Sequence, residues 1–269
     1  MTSRELRLTL PATAENVIVV RQAVAGVGEA LDLSGSRIAD LKTVVSEACN
    51  NVVLHAYEGE PGPLEVVAEP RSGELEVQVS DQGKGFRPRA NDGDSSLGLG
   101  LPLIAALSDS FEISGGAGHG SRTTIRFGYT PPEFNNNNGG SAEAPEGLEI
   151  AITPGEMVKP VLARVIGALA ARAELSVDRL ADTVLLGDAV SSSEGVDFAE
   201  GRRGISIKDG DGKLGVRVGP LIEGAGQKLL DEMELPGAVS LRSLASRMEV
   251  TKGETAEGES AEFLVFEVA

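Results

Sequence analysis

In Ser46-Glu47-Ala48-Cys49-Asn50-Asn51-Val52-Val53-Leu54-His55-Ala56-Tyr57, residues 46–57, a carboxylate, an amide and an imidazole stand four residues apart: Glu47, Asn51 and His55. On a helix that step puts all three on one side. A helix is expected over residues 36–57, because Ile38, Leu41, Val45, Ala48 and Val52 recur at three- and four-residue steps and so mark one buried face. Ser34 or Ser36 can cap its start. A magnesium ion takes oxygen ligands, keeps several waters and bridges nucleotide phosphates, and the Asn51 amide oxygen suits such a shell without adding charge. Glu47, one turn earlier, is placed to orient an attacking hydroxyl. Asn50 is a second candidate for the amide if the helix register differs. Taken alone, Glu-x-x-x-Asn is an ordinary polar helix face, so the rest of the chain has to decide.

Working outward, Leu75-Glu76-Val77-Gln78-Val79-Ser80-Asp81 alternates as a half-buried strand and delivers Asp81 to a strand end, where Gly83 and Gly85 impose a turn. A carboxylate there can accept a hydrogen bond from an adenine amino group while the glycines let the base lie against the backbone. Residues 95–107 read as a loop entering a helix through Gly98, Gly100 and Leu101. Free N–H groups at a helix start, with glycines that allow close approach, suit phosphates. Gly115-Gly116-Ala117-Gly118-His119-Gly120-Ser121 then leads into Arg122-Thr123-Thr124-Ile125-Arg126-Phe127, a strand by alternation and β-branching. Each box is common by itself. Their order along one chain is not.

In that order the three stretches resemble the N, G1 and G2 boxes of the histidine-kinase-like ATP-binding domain, and the run from Glu47 to Tyr57 is most similar to the bacterial anti-sigma-factor serine/threonine kinases. The resemblance implies a two-layer α+β sandwich with a mixed, mostly antiparallel sheet and helices on one face. It also implies ATP and Mg2+ as ligands, Glu47 as catalytic base and Asn51 as the magnesium residue. Asp81, Gly83, Gly85, Gly98, Gly100 and Leu101 become adenine- and phosphate-contacting positions, with residues 86–96 as a short lid. Ser121 falls where the family has the threonine of a Gly-x-Gly-Thr element. The partners so implied are a sigma factor and a small antagonist protein phosphorylated on serine or threonine. Phosphoryl transfer of that kind is mainly positioning and charge stabilisation, so few groups are needed. Two other classes remain to be told apart from a kinase. A non-catalytic ATP-binding switch needs Asn51 and Asp81 but not Glu47, and an interaction scaffold needs none of them.

The 269 residues suit two domains. The formal charge is −17, made up of −6 as far as Thr130 and −11 beyond it. Nucleic-acid binding needs clustered Lys and Arg and is not expected, and at 3% aromatics there is no stacking platform for single strands. Cys49, the single cysteine, can make no disulfide within the chain. No apolar run approaches the ~18 residues of a membrane span and Met1-Thr2-Ser3-Arg4-Glu5 opens no signal core, so a cytoplasmic protein without a membrane partner is expected.

Domain boundaries are expected at residues 1–130, a linker at 131–146 and a second domain at 147–269. Thr130-Pro131-Pro132-Glu133-Phe134-Asn135-Asn136-Asn137-Asn138-Gly139-Gly140-Ser141 has linker composition. Beyond it the order of the first half repeats. Residues 148–154 match 6–11, and a capping box of Thr153 and Glu156 opens a helix with Val158, Val165 and Leu169 on its stripe. Residues 187–192 fall where 46–51 fell, with Asp188 in the place of Glu47 and a serine in the metal position. Val216 and Val218 match Val77 and Val79, and Gly219-Pro220-Leu221-Ile222 replaces the Asp81 box. Residues 241–250 match 103–113, and Phe263-Leu264-Val265-Phe266-Glu267-Val268 closes the unit. The expectation is a degenerate second copy without nucleotide motifs. Because the family acts as homodimers on one sigma factor, the resemblance implies an intramolecular pseudo-dimer, its halves kept at high effective concentration by the linker.

Overall fold

The computed structural model describes residues 5–85, 100–115, 119–129, 148–152, 157–173, 175–192, 198–199, 203–210, 213–232, 244–255 and 258–269. The chain divides into two compact units, residues 1–146 and 147–269. The expected linker, the lid at 86–96 and the Thr153/Glu156 capping box lie outside the described residues.

In the first unit, β1 (Leu6–Pro11) is followed by α1 (Ala14–Ala30), α2 (Gly35–His55), β2 (Pro63–Arg71), β3 (Glu74–Asp81), α3 (Gly100–Leu107), β4 (Ser110–Gly115) and β5 (Ser121–Gly128). The strand order is β4-β5-β3-β2-β1. The expected mostly antiparallel sheet is antiparallel at all four of these pairings. Alternation sorts the strands into two faces. Leu6, Leu8 and Leu10 stand opposite Ala68, Val66 and Leu64, which lie opposite Val77, Val79 and Asp81. The apolar members of that set are buried. Onto this face pack α1, against β1 and β2, and α2, against β3 and β5. The two helices meet closely, since a Cβ on Gly28 would come 3.1 Å from Ile38 Cγ1.

The cap of α2 is Ser34, whose hydroxyl accepts the Arg37 N–H. Its buried set is Leu41, Val44, Val45, Ala48, Cys49 and Val52, wider than the stripe read from sequence, while Ile38 is only half-buried. A buried stripe of this width leaves Glu47, Asn51 and His55 along its border, half in contact and half in solvent.

The opposite face of the same sheet is polar. Glu76, 3% exposed, accepts hydrogen bonds from Gln78 Nε2 and Arg126 Nε, both at 2.9 Å, and pairs with Arg71 Nη2 at 2.9 Å. Burial works to raise the carboxyl pKa; the hydrogen bonds and the two guanidinium charges outweigh it, and the net shift is downward.

The second unit runs β6 (Leu148–Ile152), α4 (Val158–Arg172), α5 (Val177–Ser192), β7 (Arg203–Gly210), β8 (Lys213–Leu221), α6 (Ala225–Glu232), β9 (Arg247–Glu254) and β10 (Ser260–Val268). Its strand order is β9-β10-β8-β7-β6, the same as the first unit's once each strand is replaced by its counterpart. The registers correspond as well: Val216 and Val218 face Phe266 and Leu264, as Val77 and Val79 face Ile125 and Thr123. Among the described residues no helix is long and apolar enough to cross a membrane.

Candidate functional site

Asp81 ends β3 on the helix-covered face, 8% exposed. Its Oδ1 accepts the Gly83 N–H at 2.8 Å and its Oδ2 accepts the Ser121 N–H at 3.2 Å and the Ser121 hydroxyl. A carboxylate offers about four lone-pair sites, and three are used among the described residues. Among the described residues one acceptor direction is left, which is what an exocyclic amino group requires. The structure therefore joins two sequence-predicted residues, Asp81 and Ser121, that are 40 apart in the chain.

Backbone closes tightly around this corner. Gly120 has φ +70 and a Cβ there would stand 2.1 Å from Asp81 O, so no side chain fits. Its N–H donates to Gly83 O at 3.0 Å. A Cβ on Gly83 would fall 2.2 Å from Ala56 O. Gly85 has φ +77, the left-handed region in which glycine is at no disadvantage. The two glycines of the Asp81 box serve different ends: Gly83 admits the end of α2, and Gly85 turns the chain.

The second corner is where α2 meets α3. Gly100, the first residue of α3, is buried, and a Cβ on it would stand 2.1 Å from Glu47 Oε1. The carboxylate read from one box thus lies directly against the glycine read from another. Leu101 follows, half-buried in the first turn of α3. The far end of α3 is also tied to α2, through the Arg37 Nη2 to Asp109 Oδ2 ion pair at 2.5 Å, and Asp109 Oδ2 also accepts the Gly128 N–H at 2.6 Å. Gly98 lies outside the described residues.

Asn51 is half-buried one turn beyond Glu47, and so is Asn50. Burial does not separate the two; the four-residue step places Asn51 on the Glu47 side. His55 follows on that side, its Nε2 buried and without a hydrogen-bond partner among the described residues. Among the described residues no three His, Cys, Asp or Glu side chains gather into a metal site of their own. A magnesium ion that draws most of its ligands from phosphates and water is compatible with a single amide from the protein. Cys49 takes no part: it is fully buried and desolvation pushes its thiol pKa up to about 12.

In the sequence Tyr57 reads only as the end of the α2 run. Its hydroxyl accepts the Gln82 N–H at 2.8 Å and donates to Pro63 O at 2.5 Å. A lone tyrosine after a helix carries no pattern that would have revealed this; the register of β2 against β3 makes the contact.

The matching corner of the second unit is built otherwise. Pro220 stands two residues after Val218, where Asp81 stands two after Val79. Glu262 Oε2 accepts the N–H of Gly226 in α6 at 3.0 Å, so the chain's own carboxylate meets that helix start. Asp188, expected from the sequence in the place of Glu47, faces Lys159 Nζ at 3.6 Å. Arg203, 4% exposed, donates from Nη1 to Val190 O at 2.5 Å, and burial lowers its pKa to about 10.

Comparison with known proteins finds its matches in the first unit. The histidine kinase-like ATPase domain matches residues 10–127. Serine-protein kinase RsbW of Bacillus cereus (strain AH820) is 34% identical over 122 residues, a stretch covering 40% of this chain and 76% of that protein. RsbW of Bacillus anthracis matches to the same extent. A crystal structure of RsbU and RsbW domains from Mycobacterium tuberculosis is 28% identical with a TM-score of 0.36, covering 48% of this chain and 32% of the other; that match spans about a third of the solved chain.

Proposed function

Since the chain belongs to the RsbW family of serine-protein kinases, built on the histidine kinase-like ATPase domain, we propose that it is an ATP- and Mg2+-dependent protein serine/threonine kinase of the anti-sigma type. It binds a sigma factor and phosphorylates a small antagonist protein, and regulates transcription through protein contacts. The observation that carries this reading is the meeting of Glu47 with Gly100 at the start of α3, which brings the proposed base beside a helix start whose N–H groups suit phosphate.

In this mechanism Asp81 accepts from the adenine amino group through its remaining lone pair, with Ser121 and Gly83 holding the carboxylate still. Gly100 and Leu101 offer backbone N–H groups to the phosphates, with Gly98 and Gly85 as further members of the cradle. Asn51 would hold magnesium, which when bound would neutralise phosphate charge. Glu47 receives the proton of the attacking serine or threonine hydroxyl as that oxygen bonds to the γ-phosphorus and the bond to the β-phosphate oxygen breaks, releasing ADP; holding the hydroxyl within reach lowers the entropic part of the barrier. The second unit, residues 147–269, is read as a degenerate copy. Its identical strand order supports that origin, and Pro220 in the place of the Asp81 carboxylate supports its lack of a nucleotide. The tandem then acts as a pseudo-dimer on one client.

The test is to incubate the full chain with γ-labelled ATP, magnesium and extract of its own organism. A small protein labelled on serine or threonine is expected, with labelling lost and ATP binding kept in Glu47→Ala. Undiminished labelling by Glu47→Ala removes the assigned base. ATP binding without transfer to any protein places the chain among nucleotide-binding switches instead.

A further inference from the structure

The residues that would hold the two ends of a nucleotide belong to different elements. Glu47 and Asn51 ride on α2, whereas Asp81 ends β3. Something must set the distance between them, and the segment just after α2 does so. Lys84 N–H donates to Ala56 O at 2.9 Å, Gly83 packs on the same carbonyl, and Gln82 N–H donates to the Tyr57 hydroxyl. The Lys84 to Glu58 pair at 3.1 Å spans the same gap, but Glu58 is 85% exposed and such a pair is weak and salt-screened. Tyr57 alone among these uses both functions of one group, accepting from the turn and donating to the first residue of β2. Its ring lies against Gly62, where a Cβ would come 2.2 Å from Tyr57 Cε1, so a side chain at that position would displace it.

We propose that Tyr57 is a positioning residue which, through its hydroxyl, holds the Asp81–Gly85 turn in a set relation to α2 and thereby enforces selection of adenine over guanine at Asp81. The inference rests on the nucleotide-site reading above. Adenine presents an amino donor to a carboxylate, whereas guanine presents a carbonyl oxygen at the same ring position, which a carboxylate repels. The discrimination is only as sharp as the placement of Asp81. With the hydroxyl gone, the turn keeps its backbone bond to Ala56 and loses the tie at Gln82, next to Asp81 itself.

The experiment measures displacement of a fluorescent ATP analogue by ATP and by GTP, each with magnesium, on the full chain and on Tyr57→Phe. The variant retains the ring beside Gly62, and a melting curve establishes that it is folded. ATP affinity is expected to fall about fivefold, the worth of one hydrogen bond, with GTP affinity unchanged, so that the ATP/GTP ratio falls about fivefold. A purely structural role would weaken both nucleotides alike; an unchanged ratio therefore overturns the proposal. If the unsubstituted chain binds no ATP, the nucleotide site falls and the role of Tyr57 with it. If it binds ATP and Tyr57→Phe keeps its selectivity, only Tyr57 is wrong.

Discussion

Gly100→Ala tests the junction of α2 and α3 with a single methyl group. The new Cβ would lie 2.1 Å from Glu47 Oε1 and 3.0 Å from Glu47 Cδ, so the carboxylate has to retreat by about 1 Å before the contact becomes tolerable. Gly100 is helical and outside the positive-φ glycines, so alanine meets no backbone strain and contributes up to ~1 kcal/mol of helix propensity. Two opposite effects follow. Thermal stability holds or rises slightly, because the atom displaced is the end of a flexible side chain. Phosphoryl transfer falls by about 10²-fold, the usual cost of a 1 Å misplacement of a reacting group. The assay pairs a melting curve with transfer of labelled phosphate to the substrate found in the extract experiment, using Glu47→Ala for the floor. Transfer within twofold of the unsubstituted chain would refute the reasoning. So would a large fall in melting temperature, since α3 and not Glu47 would then have moved.

Three further outcomes are expected. Asp81→Asn sets an NH2 group against the Gly83 or Ser121 donors whichever way the amide turns; folding should weaken by about 1–3 kcal/mol and ATP affinity by about tenfold in calorimetry, and unchanged affinity contradicts the adenine role. Glu76→Gln removes the anion between Arg71 and Arg126 at a cost of about 1–2 kcal/mol at neutral pH. Because the folded pKa lies below the ordinary 4.5, the carboxylate's contribution is present above that value and fades as pH falls through the lower folded value; denaturation curves of both chains should converge in acid, and a constant gap would count against it. Cys49, with its thiol near 12, should resist a thiol reagent at pH 8 until the chain is denatured, and rapid reaction of the folded chain would show that the core opens.

Much of the fold was legible because its signals are local. The α2 stripe, the alternation of β3 and β5 and the glycines after Asp81 depend on residues within a turn or two of each other, and period alone assigns them. Pro63–Arg71 was less legible, since Val66-Val67-Ala68 breaks the alternation, Val67 being buried on the otherwise polar face. The helix Ala225–Glu232 likewise follows a strand that runs on through Pro220 and had no counterpart to read it against. The candidate site divides in the same way. Its residue types and their order could be read along the chain, as could Glu47 and Asn51 sharing a helix side.

By itself, the sequence determined which groups are present and in what order: a carboxylate and an amide one turn apart, an acid at a strand end, glycines before a helix. Only the tertiary structure decided that Glu47 lies on Gly100, that Ser121 holds Asp81 and that the Tyr57 hydroxyl bridges Pro63 and Gln82. These contacts join residues distant in the chain, and their distances follow from strand register and from the packing of helices on one face of the sheet. Periodicity specifies a face; it carries no information about which face, or which atom, stands opposite.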